Sequence, residues 1–125
     1  MHENQIAKVI VNTAFNIHDT MGPGLLESVY EKMLDFELRE QGLFVEVQKP
    51  IPVYVGDEKL EVGFRADLVV NRKVLVEIKS VESIAPVHLK QLRTYLRLAD
   101  KRLGLLINFN ENLIKDGLRR VVNGL

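Results

Sequence analysis

The sequence predicts an α/β fold in which a mixed β-sheet is flanked by helices. The hydrophobic period is helical at the start of the chain, strand-like in the middle, and helical again from about residue 86. The largely apolar run 103–109 is typical of a strand buried on both faces. Because a helix between two such strands is the usual connection of a parallel pair, we expect both parallel and antiparallel neighbours in the sheet.

The elements follow in order along the chain. Helical periodicity predicts a first helix over about 3–20, which ends at Met21-Gly22-Pro23-Gly24, and a second from about Leu25 to Gln41, which ends at Gly42. Period-two patterns and turn residues then predict several strands, mostly antiparallel. The predicted strands are 44–48, 51–55, 60–70 and 74–79, with turns at 56–57 and 71–73. A helix over about 86–101, the strand 103–109 and a short final helix over 112–122 complete the prediction.

Length and composition indicate one soluble domain, residues 1–125. The 46% hydrophobic content is enough for a core. The 17 basic and 17 acidic residues balance, which argues against a uniformly basic surface but permits a local basic groove. With no cysteine, disulfides and thiolate metal sites are excluded. The polar N-terminus does not resemble a signal peptide, and no apolar run approaches the roughly 18 residues of a membrane span, so we predict a cytoplasmic protein.

Three charged residues interrupt two otherwise apolar strands: Asp67 in the first, and Glu77 and Lys79 in the second. Burial of charges without partners is costly, so these side chains need one another, a metal ion or an open sheet edge. Glu77 and Lys79 share a face because strand side chains alternate. A three-residue loop at 71–73 would also bring Asp67 opposite Glu77, whereas a two-residue loop would not, and we predict the three-residue loop.

Two adjacent carboxylates repel each other unless a cation lies between them. Mg²⁺ or Mn²⁺ fits this oxygen-rich set, which comprises Asp67, Glu77 and the carbonyl of Ile78. Lys79 would then orient the attacking water or offset charge on a phosphodiester. The alternative interpretation is a cross-strand ion pair between Asp67 and Lys79, with Glu77 at its margin.

The arrangement of Asp67 followed by Glu77-x-Lys79 resembles the PD-(D/E)XK nuclease superfamily. The segment 24–30 fits the GxxExxY signature of one family within it, and the similarity extends over about 10–122. Ala66 stands where the superfamily pattern has proline, which removes no ligand. The resemblance implies a restriction-endonuclease-like core and a metal-dependent nuclease.

The resemblance also implies roles for residues on two helices. Glu27 would add a carboxylate to the metal site, although a glutamate in a first helical turn can also serve the helix dipole. Tyr30 is expected in the core rather than in catalysis. Gln91 and Tyr95 fit a QxxxY pattern that bonds near the metal or the nucleic-acid backbone, with a surface glutamine and a half-buried tyrosine as the alternative.

Basic residues recur along the helix that follows Lys79. Together these basic residues form a stripe on one helix face. Most basic stripes are solvated helix faces, but beside a nuclease site phosphate contacts are favoured. Aromatic residues are not interleaved with the basic ones, so no stacking platform for single strands is predicted. The stripe consists of Lys90, Arg93, Arg97 and Lys101, and a second cluster on the predicted final helix consists of Lys115, Arg119 and Arg120.

His18 is predicted to be a core or capping residue, and His88 is left without a role.

The function expected from these observations is a nuclease that depends on Mg²⁺ or Mn²⁺ and hydrolyses phosphodiester bonds in nucleic acid, with DNA favoured over RNA. Two alternatives stay open: a catalytically silent module that binds nucleic acid or another partner, and an enzyme acting on a different phosphate ester. A homodimer would enlarge the binding surface, but the sequence contains no decisive interface signal.

Overall fold

A five-stranded mixed sheet forms the centre of the fold, with helices on both faces. The computed structural model describes residues 1–61 and 63–125. Within these ranges, none of the helices is long and apolar enough to cross a membrane. The elements are α1 (Glu3–Met21), α2 (Glu27–Glu40), β1 (Val45–Pro50), β2 (Val53–Val55), β3 (Glu58–Leu60), β4 (Arg65–Val70), β5 (Val74–Lys79), α3 (Pro86–Ala99), β6 (Leu103–Asn108), a 3₁₀ turn (Ile114–Gly117) and β7 (Leu118–Val122).

The strand order in the sheet is β1-β4-β5-β6-β7. The β5–β6 pair is parallel and the other neighbours are antiparallel, which confirms the mixed sheet predicted from the sequence. Helix α3 connects the two parallel strands, as expected for a connection that must return to the same end of the sheet. Strands β2 and β3 pair with each other in a separate two-stranded ribbon.

Side-chain alternation on β5 divides the core into two layers. Val74, Val76 and Ile78 pack in the layer that contains α1 and α2. Leu75 packs in the layer that contains α3. Glu77 and Lys79 follow Leu75 at two-residue spacing, so this alternation directs them toward the α3 side of the sheet.

Structural contacts account for the two histidines singled out in the sequence, His18 and His88. His18 is buried near the end of α1, where its Nε2 lies 2.7 Å from the carbonyl oxygen of Glu111, in agreement with the predicted core role. His88 lies in the first turn of α3, and its Nδ1 accepts a hydrogen bond of 3.0 Å from the backbone N–H of Ala85. This contact satisfies one backbone donor just before the helix begins.

The predicted final helix over 112–122 is wrong. A single 3₁₀ turn is followed by β7, which pairs with β6 along the whole strand from Leu103↔Val122 to Ile107↔Leu118. Pairing with this otherwise open sheet edge overrides the local helical pattern. Gly117 allows the turn to pack closely against the end of β6, because a Cβ there would clash with the carbonyl oxygen of Asn108. Lys115 therefore lies in the 3₁₀ turn and Arg119 and Arg120 lie on an edge strand, so they do not form a helical stripe.

The close approach of α3 to the sheet depends on Gly104. A Cβ at this position would lie 2.9, 3.0 and 3.1 Å from three side-chain atoms of Leu92, which is fully buried. We expect Gly104→Ala to lower the free energy of unfolding by about 1–3 kcal/mol through overpacking. Denaturant unfolding measures this change.

The Leu92→Ala background is the matched control. This substitution alone should cost about 2–5 kcal/mol because it leaves a cavity. In that background the added methyl of Gly104→Ala has space, so its cost should fall below about 0.5 kcal/mol. Equal costs of Gly104→Ala in the two backgrounds would show that the contact with Leu92 is not the constraint.

Candidate active site

The candidate site lies where β4 and β5 separate. The two strands pair at Val70↔Val74, Val69↔Leu75 and Leu68↔Val76. The connection is therefore the predicted three-residue loop 71–73, whose first two residues have positive φ angles of 51° and 57°. Continuing this register by one step brings Asp67 opposite Glu77, beyond the last backbone pair.

Where β4 and β5 separate, side-chain carboxylates replace the backbone–backbone hydrogen bonds that join the strands elsewhere. The backbone N–H of Ile78 donates a hydrogen bond of 2.8 Å to Oδ2 of Asp67. The backbone N–H of Asp67 donates one of 3.2 Å to Oε1 of Glu77. Each carboxylate therefore bonds to the backbone of the opposite strand, and the two acidic groups are adjacent.

Glu77 occupies a costly position for a negative charge. Its side chain is almost completely buried at 5% exposure. Burial first, and the negative charge of Asp67 second, raise the pKa of Glu77 to about 8, while the Lys79 ammonium acts in the opposite direction. Within residues 1–61 and 63–125 the ion pairs are Arg39–Asp35, Lys49–Glu46 and Arg102–Glu3, so the alternative Asp67–Lys79 ion pair is not formed.

Glu31 and Gln48 join this site from α2 and β1. The side-chain amide of Gln48 donates to Oε2 of Glu31 at 3.0 Å and to Oδ1 of Asp67 at 3.1 Å. Burial raises the pKa of Glu31, with a further contribution from the negative charge of Asp67. Gln48 has a φ of +50°, a conformation that non-glycine residues rarely adopt. Sequence reasoning missed both residues, although Glu31 is four residues after Glu27 and therefore on the same helix face.

The start of α2 is joined to the end of β5. The backbone N–H of Ser80 donates to Oε2 of Glu27 at 3.1 Å, and the Ser80 hydroxyl donates to the carbonyl of Leu25 at 2.7 Å. The hydrogen bond from Ser80 places the Glu27 carboxylate next to the residue that follows Lys79. The participation of Glu27 in metal binding stays a prediction.

Tyr30 has the core position that the sequence predicts. It is fully buried and stacks on Phe109 with ring centroids 4.4 Å apart. Its hydroxyl donates to the carbonyl of Gly22 at 2.5 Å and accepts from the N–H of Leu25 at 3.2 Å. Tyr30 therefore holds the loop that leads into α2, and through it the start of the helix that carries Glu27 and Glu31.

Asn108 is a third residue whose importance the sequence did not suggest, after Glu31 and Gln48. It is fully buried at the end of β6, beside Lys79 in the parallel pairing. Its side-chain oxygen accepts from the N–H of Val81 at 3.1 Å, and its amide donates to the Val81 carbonyl at 2.9 Å. This pair of bonds fixes the loop after β5. A lone asparagine inside an apolar strand was the available signal.

Helix α3 contributes the QxxxY pair from the other side. The Gln91 amide donates to the Tyr95 hydroxyl at 3.1 Å. Tyr95 is 6% exposed, and burial raises its pKa, with smaller contributions from the negative charges of Glu77 and Asp67. The Tyr95 ring also contacts the Phe64 ring, with centroids 5.7 Å apart. The pair is therefore within electrostatic reach of the two carboxylates.

The basic stripe of α3 is on the surface. Lys90, Arg93 and Arg97 are exposed, and Lys101 is half-buried beyond the helix end. Arg97 donates to the Thr94 hydroxyl at 3.3 Å within its own helix. Contact of these residues with phosphates stays a prediction.

The residues at the strand separation fit a divalent cation in their chemistry. Magnesium sites commonly use one or two carboxylates together with substrate phosphate and water, and Asp67 and Glu77 are hard oxygen donors of this kind. Across the described ranges, no group of three or more acidic or histidine side chains forms a ready-made metal cluster. The carboxylates of Glu27 and Glu31 instead accept hydrogen bonds from the Ser80 backbone N–H and the Gln48 side-chain amide.

A profile of the PD-(D/E)XK nuclease superfamily matches residues 4–121. The chain belongs to this superfamily. A solved crystal structure, that of SSO0001, is similar to the chain with a TM-score of 0.58 and 23% sequence identity, over 79% of this chain and 51% of that protein. The chain thus spans about half the length of that protein, and the likeness concerns the fold. The comparison with curated proteins found no match. The predicted fold class and superfamily are confirmed.

The burial of Glu77 predicts a pH-dependent effect of Glu77→Gln on stability. Because the pKa of Glu77 is about 8 in the folded state and the ordinary pKa of a glutamate is 4.5, the wild type loses stability as pH rises through this window. Glutamine cannot ionise, so we expect Glu77→Gln to be more stable than the wild type at pH 8 by a few kcal/mol, with little difference near pH 4.5. Thermal unfolding in a chelating buffer measures the difference.

Glu37→Gln removes a carboxylate from the exposed surface of α2 and serves as the control. We expect the stability of Glu77→Gln relative to the wild type to increase with pH, and the stability of Glu37→Gln relative to the wild type to stay nearly constant. A constant advantage from pH 5 to pH 9 would contradict it.

Proposed function

We propose that this protein is a divalent-metal-dependent nuclease that hydrolyses phosphodiester bonds in DNA or RNA. Membership of the PD-(D/E)XK nuclease superfamily supports this class of activity. The observation that carries the proposal is the meeting of the Asp67 and Glu77 carboxylates where β4 and β5 separate, with Lys79 near Glu77. A buried carboxyl group beside a second, half-buried one is typical of a functional site rather than of a core.

The carboxylates of Asp67 and Glu77 and the carbonyl of Ile78 would hold Mg²⁺ or Mn²⁺, with Glu27 as a further carboxylate from α2. When bound, such a cation polarises the phosphodiester and lowers the pKa of a coordinated water. Gln48 and Glu31 have a positioning role, because the Gln48 amide holds one oxygen of Asp67 while Ile78 holds the other.

The remaining residues act on the reacting phosphate. The Lys79 ammonium would orient the attacking water and offset the negative charge that grows in the transition state. Water forms the new P–O bond, the ester P–O bond breaks, and the products are a phosphate monoester and a free hydroxyl. Gln91 and Tyr95 would bond a phosphate oxygen beside the site, while Lys90, Arg93 and Arg97 would contact neighbouring phosphates.

Other sequence-based expectations belong to this proposal. Residues 1–125 would act as one nuclease domain of the GxxExxY family, with DNA as the favoured substrate. A homodimer would extend the surface that contacts nucleic acid. The cytoplasmic location stays a prediction.

The proposal predicts different defects for Asp67→Ala and Lys79→Ala. We expect Mg²⁺ or Mn²⁺ to raise the melting temperature of the wild type by mass action, and to have no such effect on Asp67→Ala. Lys79→Ala should keep the metal response, because Lys79 is not a ligand, but should lose about 10²–10³-fold in cleavage rate. Thermal-shift titration and cleavage of labelled DNA and RNA measure the two effects.

Lys8→Ala, on the exposed surface of α1, controls for the loss of a lysine as such. Equal residual cleavage by the wild type, Asp67→Ala and Lys79→Ala would reveal a contaminating nuclease and refute the proposal. Nucleic-acid binding without cleavage or metal response in the wild type would instead identify a catalytically silent binding module.

A further inference from the structure

A cleft beside the candidate site has a basic lining. It measures about 670 Å³ and lies between the β2–β3 ribbon and the ends of β1 and β4. Its charged lining consists of Lys49, Lys59, Glu61 and Arg65, and Phe64 forms part of its apolar lining. We refer to it as the basic cleft. The volume is within the usual range of ligand sites, and none of the proposed catalytic residues lines it.

The charge of the basic cleft differs from that of the whole chain. The chain is neutral, whereas the cleft is lined by three cations and one carboxylate. Lys49 is paired with Glu46 at 2.6 Å, outside the cleft lining. Lys59 and Arg65 have no such ion pair anywhere in the part of the chain that the structure describes. Their charges are therefore available to an anionic ligand.

The positive lining extends beyond the basic cleft. A second depression of about 440 Å³ shares residues 49–52 with it and continues to Arg72 and Lys101. Its one carboxylate, Glu46, is the ion-pair partner of Lys49, so Arg72 and Lys101 add positive charge to the lining. The two depressions together follow the side of edge strand β1. A continuous series of cations of this kind matches a chain of phosphates better than a single small anion.

The basic cleft adjoins the two carboxylates. Arg65 is two residues before Asp67 on β4, a distance of about 7 Å along a strand. The Arg65 guanidinium donates to the carbonyl of Gln48 at 3.3 Å, which holds it against β1. On the other side, Phe64 contacts Tyr95 of the QxxxY pair. A polynucleotide in the cleft would therefore continue directly to the proposed reaction site.

We propose that the basic cleft binds a single-stranded segment of the substrate, with phosphates on Lys59 and Arg65 and a base against Phe64. The proposal rests on the function proposed above and names its substrate class. The sequence alone predicted no stacking platform for single strands, but Phe64 is 39% exposed, so part of its ring is accessible in the cleft. Bases stack on such rings without sequence preference. A duplex keeps its bases stacked inside a stiff helix and would reach the rim but not the interior of the cleft.

Binding in a chelating buffer tests the cleft without catalysis. The probe is a fluorescent oligothymidylate of about 20 nucleotides, compared with a duplex of the same length. We expect the wild type to bind the single strand more tightly. Lys59→Ala/Arg65→Ala should weaken this binding at least ten-fold and reduce the slope of log affinity against log salt by about 1.4, the value for two lost phosphate contacts. Lys8→Ala/Lys115→Ala removes two exposed cations elsewhere and should change neither quantity.

Phe64→Leu keeps an apolar side chain and removes the ring. We expect it to weaken single-strand binding about five-fold or more and to leave duplex binding unchanged. Circular dichroism and thermal unfolding verify that each variant is folded. Equal effects of the cleft and control double variants, or tighter binding of the duplex by the wild type, would overturn the proposal.

Cleavage of the same oligonucleotide with Mn²⁺ separates the two proposals. Binding that depends on Lys59 and Arg65, without cleavage by the wild type, would support the cleft and refute the nuclease. Cleavage that is lost in Lys79→Ala but unaffected by Lys59→Ala/Arg65→Ala at low substrate concentration would support the nuclease and refute the cleft.

Discussion

The site depends on the exchange of hydrogen bonds between Asp67 and Glu77 at the point where β4 and β5 separate. Central strands in a sheet normally satisfy each other's backbone groups, and a buried N–H without a partner is costly. Here carboxylate oxygens satisfy the N–H groups of Asp67 and Ile78. The two strands can therefore diverge inside an otherwise apolar sheet, and the divergence leaves two acidic groups adjacent, with Glu77 buried and Asp67 half-buried.

The loops around the candidate site are held by polar contacts as well as by apolar packing. Tyr30 fixes the loop before α2, Ser80 joins that loop to β5, and Asn108 fixes the loop that follows. The contacts of Ser80 and Asn108 join residues 55 and 27 positions apart in the chain, so the loops around the site are held by the tertiary fold. A site built in this way keeps its acidic groups close while the apolar layers on both sides of the sheet supply the stability.

The sequence was sufficient for the central hairpin, because two apolar strands and a three-residue turn determine its register and hence the neighbours of Asp67. It was insufficient at 112–122, where the strand forms because β6 offers an open edge and local periodicity carries no signal of that edge. Gln48 was missed for a related reason. Its positive φ interrupts the strand pattern, and the contact with Glu31 on α2 depends on tertiary structure.

The parallel pairing of β5 with β6 has a consequence for folding. The strand that carries Glu77 and Lys79 gains its second neighbour only when residues 103–108 are in place, and the contact of His18 on α1 with Glu111 joins residues 93 positions apart. Non-local contacts of this kind form late, because the loop-closure entropy must be overcome first. The packing of α1 is therefore complete only when the last quarter of the chain is in place. Glu77 lies beside Leu106 in this pairing, so a chain in which β6 has not yet joined the sheet does not contain the complete site.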